Sequence, residues 1–414
     1  MPGPFGPELL PRGWVDAVGF IRRGGKLHVA FPKVYDSQAE RLAREPIFLT
    51  THLTLLARTM VRYGRETRSL EANTGSALEI TSEAMLDWLD AATELYDDYA
   101  RHGLYWVKHA FPDTSAVSGS INWPRTMARG QMFLSSGTPI YGAPVRLRRV
   151  RTSEHPFHRL HSSVVDEISV LLTGRGAVEG GGRLTDEEFA VVRRNPERWL
   201  SPMRGATFSD RGKAVLRLIE RYLESGRGAE SRDAGGSLLC RAENFELIWE
   251  QVLRAVIHGG SLQKVALPLS AGRWQPKTGR AEPGIRPRVD FALSNVGDNG
   301  AITIFDAKDK PVQSGRRSGS EADHYKQILY ALLSGREGVR SVLMFPTLDP
   351  LPRDGPLHWL GSHRWRVIAD SMVHEVSAQY AECCRAYVSG RTVDPSALIE
   401  SLRLHEITSV CAAA

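Results

Sequence analysis

Two aspartates and a lysine occupy strand-like positions in the second half of this 414-residue sequence. Asp290 lies in "RPRVDFALS", in which apolar residues alternate along the chain. Asp306 and Lys308 lie in "AITIFDAKDK", where an apolar run ends abruptly in charged residues. Alternation along a strand places Asp306 and Lys308 on the same face. If the two strands pair, two carboxylates and one ammonium group share a small volume.

This set of groups suits the hydrolysis of a phosphodiester bond. Two carboxylates repel each other unless a cation compensates their charge. Carboxylate oxygens are the ligands that Mg²⁺ prefers, and this ion keeps several of its waters when a protein binds it. A metal ion there polarises a phosphoryl group and lowers the pKa of a water. A neighbouring lysine orients that water or stabilises the developing charge.

The strands that carry these residues are predicted to form a hairpin, because "NVGDNG" between them is a turn signal. In that hairpin Asp290 and Asp306 converge at one end. The preceding segment, "AENFELIWEQVLRAVI", has the periodicity of an amphipathic helix. Its predicted buried stripe consists of Phe245, Ile248, Trp249, Val252 and Val256.

Glutamates lie on another face of this leading helix. Glu246 is the candidate for the active site. Glu243 and Glu250 are alternatives, and a third reading is that all three form a solvated face.

The segment "EADHYKQILYALLSG" follows the second strand and is predicted to be a helix. Asp323, Gln327 and Tyr330 lie on a different face from its predicted core stripe, and Gln327 is the candidate site residue. The predicted core stripe consists of Tyr325, Ile328, Leu329, Leu332 and Leu333.

The sequence "PRVD" followed by "FDAK" resembles the signature of PD-(D/E)xK nucleases. The resemblance implies a central mixed sheet flanked by helices. It also implies that Asp290, Asp306 and the carbonyl of Ala307 hold Mg²⁺, with Mn²⁺ as the alternative ion. Lys308 would position the attacking water, Glu246 would act through the shell of the metal, and Gln327 would belong to the same site.

Within that superfamily the chain resembles McrC-type and LlaJI-type restriction subunits. Besides "DAK", the matching segments in chain order are "KLHVAFPKVY", "GSINWPRT" and "SVLMFP". The resemblance implies a metal-dependent DNA endonuclease of a restriction or antiphage defence system. It would work with a separate AAA+ GTPase or ATPase and stimulate it.

The sequence itself contains no GxxxxGK[ST] phosphate loop, which fits a subunit that depends on such a partner. Two other functions stay open: a DNA-anchoring adaptor of the NTPase with dispensable nuclease activity, and a standalone repair nuclease. A homodimer or a larger assembly is also open.

Arginines provide candidate contacts to DNA. Five arginines and one acid lie between Tyr141 and His161, and alternation places Arg146 and Arg148 on one face of a predicted strand. Such a stripe suits phosphates, although a solvated strand edge explains it equally well. Arg316 and Arg317 lie in "SGRRSGSEAD", which is read either as a loop over the DNA backbone or as a plain disordered loop.

Three histidines follow these arginines at a spacing of three. His155, His158 and His161 would suit zinc, but no cysteine or acid stands near them at ligand spacing. The start of a surface helix is therefore the favoured reading.

The domain organisation is predicted from changes in composition. Residues 1–36 form a β-hairpin region that is a candidate partner contact. Further along, "GSINWPRT" at residues 119–126 is predicted to be a loop or a short strand entering a turn. Residues 37–230 form a mostly helical middle region with the Arg-rich strand. The stretch "SGRGAESRDAGGS" marks a boundary, and residues 238–414 form an α/β nuclease domain, which is preceded by an α+β N-terminal region.

Composition indicates an ordinary globular protein, with 42% hydrophobic and 24% charged residues. The formal net charge of +6 permits a polyanionic partner such as DNA. No apolar run approaches the roughly 20 residues needed to span a bilayer, and the N-terminus lacks the pattern of a signal peptide. Four cysteines without CxxC spacing fit the reducing cytoplasm.

Overall fold

The structure of the protein is a computed structural model, which describes most of the chain in separate stretches. The described residues are 8–9, 17–23, 26–68, 78–80, 83–106, 108–113, 120–129, 132–142, 144–173, 176–177, 182–206, 209–230, 237–259, 262–267, 269, 273–274, 282–283, 288–295, 301–312, 318–336, 339–349, 355–365 and 371–411.

The chain divides into two compact units. One unit combines residues 7–86 with residues 233–414, and the other consists of residues 87–232. Residues 37–86 therefore lie in the same unit as the C-terminal part of the chain, although their helical pattern predicts that they belong to the middle region.

The first part of the combined unit begins with a β-hairpin and continues with helices. Its elements are β1 (Glu8–Leu9), β2 (Val18–Arg23), β3 (Lys26–Ala30), a 3-10 helix (Lys33–Gln38), α1 (Ala39–Arg44), α2 (Pro46–Arg68) and β4 (Leu78–Ile80). Strands β2 and β3 pair antiparallel, as the sequence predicts for the N-terminal hairpin. The break between α1 and α2 falls at Glu45, because a residue that precedes proline disfavours helical backbone angles.

The second unit is mostly helical and contains two separate strand pairs. Its elements are α3 (Glu83–His102), β5 (Lys108–Asp113), α4 (Trp123–Arg129), β6 (Met132–Ser135), β7 (Thr138–Tyr141), β8 (Arg146–Arg151), α5 (Pro156–Thr173), α6 (Asp186–Arg194), α7 (Pro196–Ala206) and α8 (Asp210–Glu230). Strand β5 pairs with β8, and β6 pairs with β7.

Helix α4 corrects the prediction of a loop or strand for "GSINWPRT". Pro124 is the second residue of this helix. Proline is tolerated in a first helical turn because the N–H that it lacks would have no partner within the helix. The proline thus starts a helix here and does not end a strand.

The C-terminal part of the chain is an α/β arrangement. Its elements are β9 (Ser237–Ala242), α9 (Phe245–Val256), β10 (Leu262–Lys264), β11 (Arg273–Trp274), β12 (Glu282–Pro283), β13 (Phe291–Asn295), β14 (Ile302–Ala307), α10 (Glu321–Leu333), β15 (Arg340–Thr347), β16 (Leu357–Trp365), β17 (Ser371–Gln379), α11 (Tyr380–Ser389) and α12 (Ser396–Cys411).

Strand β9 explains why the two ends of the chain share one unit. It lies between β2 and β4 in a five-stranded sheet with the order β1-β3-β2-β9-β4. At Gly19 of β2, a side chain would collide with the backbone oxygen of Cys240 in β9, so the close approach of these strands requires glycine.

The second large sheet is mixed and has the order β10-β13-β14-β15-β17-β16. Strand β13 runs antiparallel to both of its neighbours, β10 and β14. Strand β15 is parallel to both β14 and β17, and β16 closes the edge antiparallel to β17. The parallel step from β14 to β15 is made through α10, as parallel neighbours need a crossover connection. The structure confirms the prediction of an α/β region that has a mixed sheet with helices.

Helix α9 buries its predicted stripe, and it packs against β14. Helix α10 packs on β14 and β15, but most of the residues that it buries are not those predicted for its core stripe. Its buried residues are His324, Gln327, Ile328 and Tyr330. Tyr325, Leu329 and Leu332, which were expected in the core, are about half exposed. Among the described residues, none of the helices combines the length and the apolarity that crossing a membrane requires.

Candidate active site

The candidate site begins with the register of β13 and β14. Phe291 pairs with Phe305, and their rings stack with centroids 4.8 Å apart. Continuing this antiparallel register by one residue places Asp290 opposite Asp306. Residues that face each other in this way have side chains on the same face of the sheet. The hairpin therefore brings both aspartates to one end of a buried strand pair, although its connection at 296–300 lies outside the described residues.

A hydrogen bond holds Asp290 against the neighbouring strand. The backbone N–H of Ala307 donates to Oδ2 of Asp290 over 2.6 Å. In an extended strand the N–H and the C=O of one residue point to the same side. The carbonyl of Ala307 therefore points toward Asp290. A metal ion bound to Asp290 would lie on that side of the strand.

Asp306 is 1% exposed and contacts two lysines. Its Oδ2 atom forms an ion pair with Lys308. Its Oδ1 atom accepts a hydrogen bond from Nζ of Lys326 in α10 over 2.7 Å. A carboxylate with so little solvent contact requires such partners, because burial of an unpaired charge is costly.

Lys308 is fixed from two directions. Besides Asp306 it contacts Asp323, with 2.8 Å between Nζ and Oδ1. Burial opposes the charge of Lys308, yet the two acids raise its pKa above the usual value, so it remains an ammonium group. Burial likewise opposes the charge of Asp323, but hydrogen bonds from Lys308 and Ser320 hold the pKa of that carboxyl well below its usual range.

The electrostatics of Asp290 differ from those of Asp306. Burial, together with the negative charges of Asp306 and Glu250, raises the pKa of Asp290 to about 7. The N–H of Ala307 and the ammonium group of Lys326 act in the opposite direction. A carboxylate with its pKa near neutrality, beside other acids, marks a place where negative charge is concentrated.

The leading helix contributes Glu250 to this cluster. Burial is the main cause of a raised pKa at Glu250, and the negative charge of Asp306 adds to it. The positive charges of Arg254, Arg288 and Lys326 act in the opposite direction. Glu250 also pairs with Arg254, whose Nε donates to the backbone oxygen of Asp290 over 2.8 Å.

Glu246, the candidate from sequence, lies one helical turn earlier with an exposed side chain. Glu243 precedes the helix and is exposed as well. Glu250 is half-buried and interacts electrostatically with Asp290 and Asp306, so it is the glutamate that α9 contributes to the cluster.

Gln327 and Tyr330 of α10 are both buried. The side-chain oxygen and nitrogen of Gln327 find no hydrogen-bond partner among the described residues. Tyr330 donates its hydroxyl hydrogen to the backbone oxygen of Arg288 over 2.8 Å, which ties α10 to the segment just before Asp290.

Two residues at the site were missed as candidates from sequence, namely Asp323 and Lys326. They stand three apart on one helix, a spacing at which side chains are neighbours on the same face. A charged pair of this kind, shortly after a strand that ends in charges, is the signal that could have indicated them.

The flanking charges Asp309 and Lys310 do not contact Asp306. Asp309 pairs with Lys33 of the N-terminal segment at 3.2 Å. Lys310 is exposed and stands 3.9 Å from Asp323.

Arg146 and Arg148 are on β8 in the other unit, where the side chain of Arg146 is half-buried. Arg316 and Arg317 lie outside the described residues.

The histidine triplet is neither exposed nor arranged as a metal cage. His158 and His161 are buried on α5. Nδ1 of His161 accepts the backbone N–H of Tyr105 over 3.0 Å, and the ring of Trp106 stacks on His158. The expectation of a surface helix start is therefore wrong for these two residues, which pack against the segment after α3.

A divalent cation fits the donor set at the sheet end. Within the described part of the chain, no group of three or more His, Cys, Asp or Glu side chains is arranged to hold a metal. Two carboxylates and one backbone carbonyl nevertheless form a hard oxygen set suited to an ion that keeps several waters. The raised pKa of Asp290 supports the same fit, because a cation beside it would relieve the concentrated negative charge.

A search of curated proteins gives no match. One of the solved structures that match is similar over 91% of this chain and 82% of the other chain, with 12% identity and a TM-score of 0.34. It is a half-complex from a tetradecameric assembly of Thermococcus gammatolerans McrB AAA+ hexamers with bound McrC. A TM-score of this size does not establish a shared fold.

One protein-family model matches most of the chain. The model of the LlaJI restriction endonuclease matches residues 17–347, which include α9, both strands of the hairpin and α10. This match spans most of the sequence and contains every residue of the candidate site. The chain belongs to the LlaJI restriction endonuclease family.

Proposed function

We propose that this chain is the DNA-cleaving subunit of a restriction system and hydrolyses phosphodiester bonds with Mg²⁺, or with Mn²⁺ in its place. The observation that carries the proposal is the placement of Asp290 opposite Asp306 beside Lys308. Membership of a restriction endonuclease family makes DNA the substrate class. The element order around the site, which is helix, paired strands, helix and parallel strand, supports a PD-(D/E)xK nuclease domain.

Asp290, Asp306 and the carbonyl of Ala307 would hold the metal ion. When bound, the ion supplies Lewis acidity and positive charge at the scissile phosphate. The two oxygens of Asp306 face the ammonium groups of Lys308 and Lys326, which compensate negative charge within this set. Asp290 must lose the proton that its environment favours before it can act as a ligand.

Lys308 would orient the attacking water and stabilise charge that develops on the phosphate. Its two acidic partners keep it charged and limit its movement. A charged donor that is already positioned needs no rearrangement when the phosphate becomes more negative.

Glu250 takes the role that sequence reasoning gave to Glu246, which is to act through the shell of the metal. It interacts with both Asp290 and Asp306, whereas Glu246 is exposed. Gln327 remains a candidate for the same site because its buried amide has no partner among the described residues.

Contacts to DNA would come from Arg146, Arg148, Arg316 and Arg317, which supply positive charge for phosphates. The proposed compartment is the cytoplasm. Cys240, Cys383 and Cys384 are buried free thiols, as a reducing compartment favours.

A separate AAA+ GTPase or ATPase is the proposed partner, and the chain would stimulate it. Three features support this: the family membership, the resemblance to McrC-type subunits, and a sequence with no phosphate loop of its own. With that partner the chain would act either as a homodimer or in a larger assembly.

The test is a DNA cleavage assay with Mg²⁺, with and without the partner and nucleotide. Wild type is compared with Asp306→Ala and Lys308→Ala, whose folding is checked by circular dichroism. We expect both variants to lose cleavage while remaining folded. Full cleavage by either folded variant would overturn the proposal. Loss of cleavage with stimulation of the NTPase retained would separate the nuclease from the adaptor role.

A further inference from the structure

Lys326 is a second ammonium group at the candidate metal site. It extends from α10 and donates to Oδ1 of Asp306 over 2.7 Å. The ion pair thus covers the carboxylate oxygen that Lys308 does not contact. A divalent cation that uses Oδ1 as a ligand meets a positive charge already there.

The two lysines on Asp306 are held very differently. The side chain of Lys308 is 13% exposed and bridges Asp306 and Asp323. The side chain of Lys326 is 42% exposed and has one carboxylate partner among the described residues, with its Nζ 5.4 Å from the centre of the Tyr330 ring. Lys326 is therefore the ammonium group that can leave Asp306 by rotation of its flexible side chain.

Lys326 also acts on the other acids of the cluster. Burial and neighbouring acids raise the pKa of Asp290, and Lys326 opposes this shift. Burial raises the pKa of Glu250, and Lys326 again acts to lower it. One ammonium group thus compensates the negative charge of Asp290, Asp306 and Glu250, which is the charge that a metal ion would compensate.

We propose that Lys326 is an internal counter-ion of this site, which a divalent cation must displace from Oδ1 of Asp306 in order to bind. The inference rests on the metal assignment made under the proposed function. The metal ion and the ammonium group of Lys326 repel each other, so the ion pair must break before the metal binds Oδ1. The free energy needed to break the ion pair weakens metal binding by the same amount. Lys326 thereby sets the metal concentration at which the site fills.

The experiment is a calorimetric titration of the full chain with Ca²⁺, a hard divalent cation that takes oxygen ligands. Lys326→Met removes the charge and keeps a long side chain with good helix propensity. We expect this variant to bind Ca²⁺ about threefold to tenfold more tightly than wild type, a change of about 0.7 to 1.4 kcal/mol. Partial exposure of Lys326 screens the ion pair and limits the gain.

Two further variants serve as controls. Lys326→Arg keeps the charge and should bind Ca²⁺ within about threefold of wild type. Lys310→Met removes an exposed lysine that does not contact Asp306, so its Ca²⁺ affinity should also change by less than about threefold. Asp306→Ala should lose binding.

Each outcome decides the question. A gain in Ca²⁺ affinity of less than about threefold by folded Lys326→Met, or a loss, with binding lost in Asp306→Ala, would overturn the counter-ion role and leave the metal site standing. A gain in Lys310→Met as large as that in Lys326→Met would also overturn it, because net charge would explain both. If wild type and Lys326→Met are folded and neither binds Ca²⁺ or Mg²⁺, the metal site fails and the inference with it. Should Lys326→Met not fold, Lys326→Gln replaces it under the same criteria.

Discussion

Nζ of Lys308 lies 2.8 Å from Oδ1 of Asp323, which joins the end of β14 to the first turn of α10. The other oxygen of the same carboxylate accepts from the N–H and the hydroxyl of Ser320 and completes a capping box. One side chain therefore starts the helix and anchors the lysine. The position of Lys308 depends on both elements being in place.

Asp323→Asn should lower cleavage by at least about tenfold, because loss of the charge lets Lys308 move from its position and misplaced groups lose rate steeply. Ser320 remains the N-cap, and the side-chain oxygen of asparagine at position 323 can still accept its backbone N–H, so the helix start should survive. Single-turnover rates on a DNA substrate measure the effect. Ser320→Ala is the control: it should cost about 1 kcal/mol of stability by removing the cap, with the contact between Lys308 and Asp323 kept. Equal rates for Asp323→Asn and wild type would contradict the anchoring role.

Glu250→Gln should reduce cleavage by about tenfold or more, since Glu250 interacts with both aspartates of the site. Glu246→Gln is its matched control on the same helix, one turn away and exposed, and should keep cleavage within about twofold of wild type. The comparison uses kcat and KM measured at several Mg²⁺ concentrations. A larger loss in Glu246→Gln than in Glu250→Gln would restore the assignment made from sequence.

The pH dependence of cleavage should follow Asp290. Its pKa is raised to about 7, so below that pH the carboxyl is protonated and cannot act as a metal ligand. At subsaturating Mg²⁺, we expect the rate to rise with pH through about 7 and to level off above it. Higher Mg²⁺ should move the midpoint to lower pH, because metal and proton compete for one carboxylate. A profile with no inflection between pH 6 and pH 8, values that bracket the shifted pKa by about one unit, would contradict this.

The stability of the fold should also depend on Asp290. Between the unfolded pKa of about 4 and the folded pKa of about 7, the folded chain keeps a proton that the unfolded chain releases. Stability that depends on this group is therefore present at low pH and is lost as the pH rises through that window.

Asp290→Asn removes the ionisation and keeps an oxygen that can accept the N–H of Ala307. In metal-free buffer at pH 8, its Tm should exceed that of wild type by at least about 2 °C. At pH 4 the difference should be small, because the wild-type carboxyl is then protonated in the fold. Differential scanning calorimetry at both pH values makes the comparison, and a lower Tm of the variant at pH 8 would refute the expected sign.

The sequence by itself determines the hairpin part of the site. Alternation in "RPRVDFALS" and "AITIFDAKDK" and the short connection between them predict the pairing of β13 and β14. Register in such a pair is set locally, since a slip by one residue would turn every side chain to the opposite face. Asp290, Asp306 and Lys308 could therefore be placed together without knowledge of the rest of the fold.

Only the tertiary structure decides which helical side chains reach that hairpin. The rotation of a helix about its axis is set by how it packs, and α10 has apolar residues on more than one face. Periodicity therefore predicts that Leu329 is buried, whereas the structure buries His324 and leaves Leu329 about half exposed.

The same packing selects the acids and lysines around Asp306. It brings Glu250 and not Glu246 to the aspartates, and it places Asp323 and Lys326 on Lys308 and Asp306. These contacts join residues that lie far apart along the chain. A local pattern shows that these charges are present, but which of them pair depends on how α9 and α10 pack against the sheet.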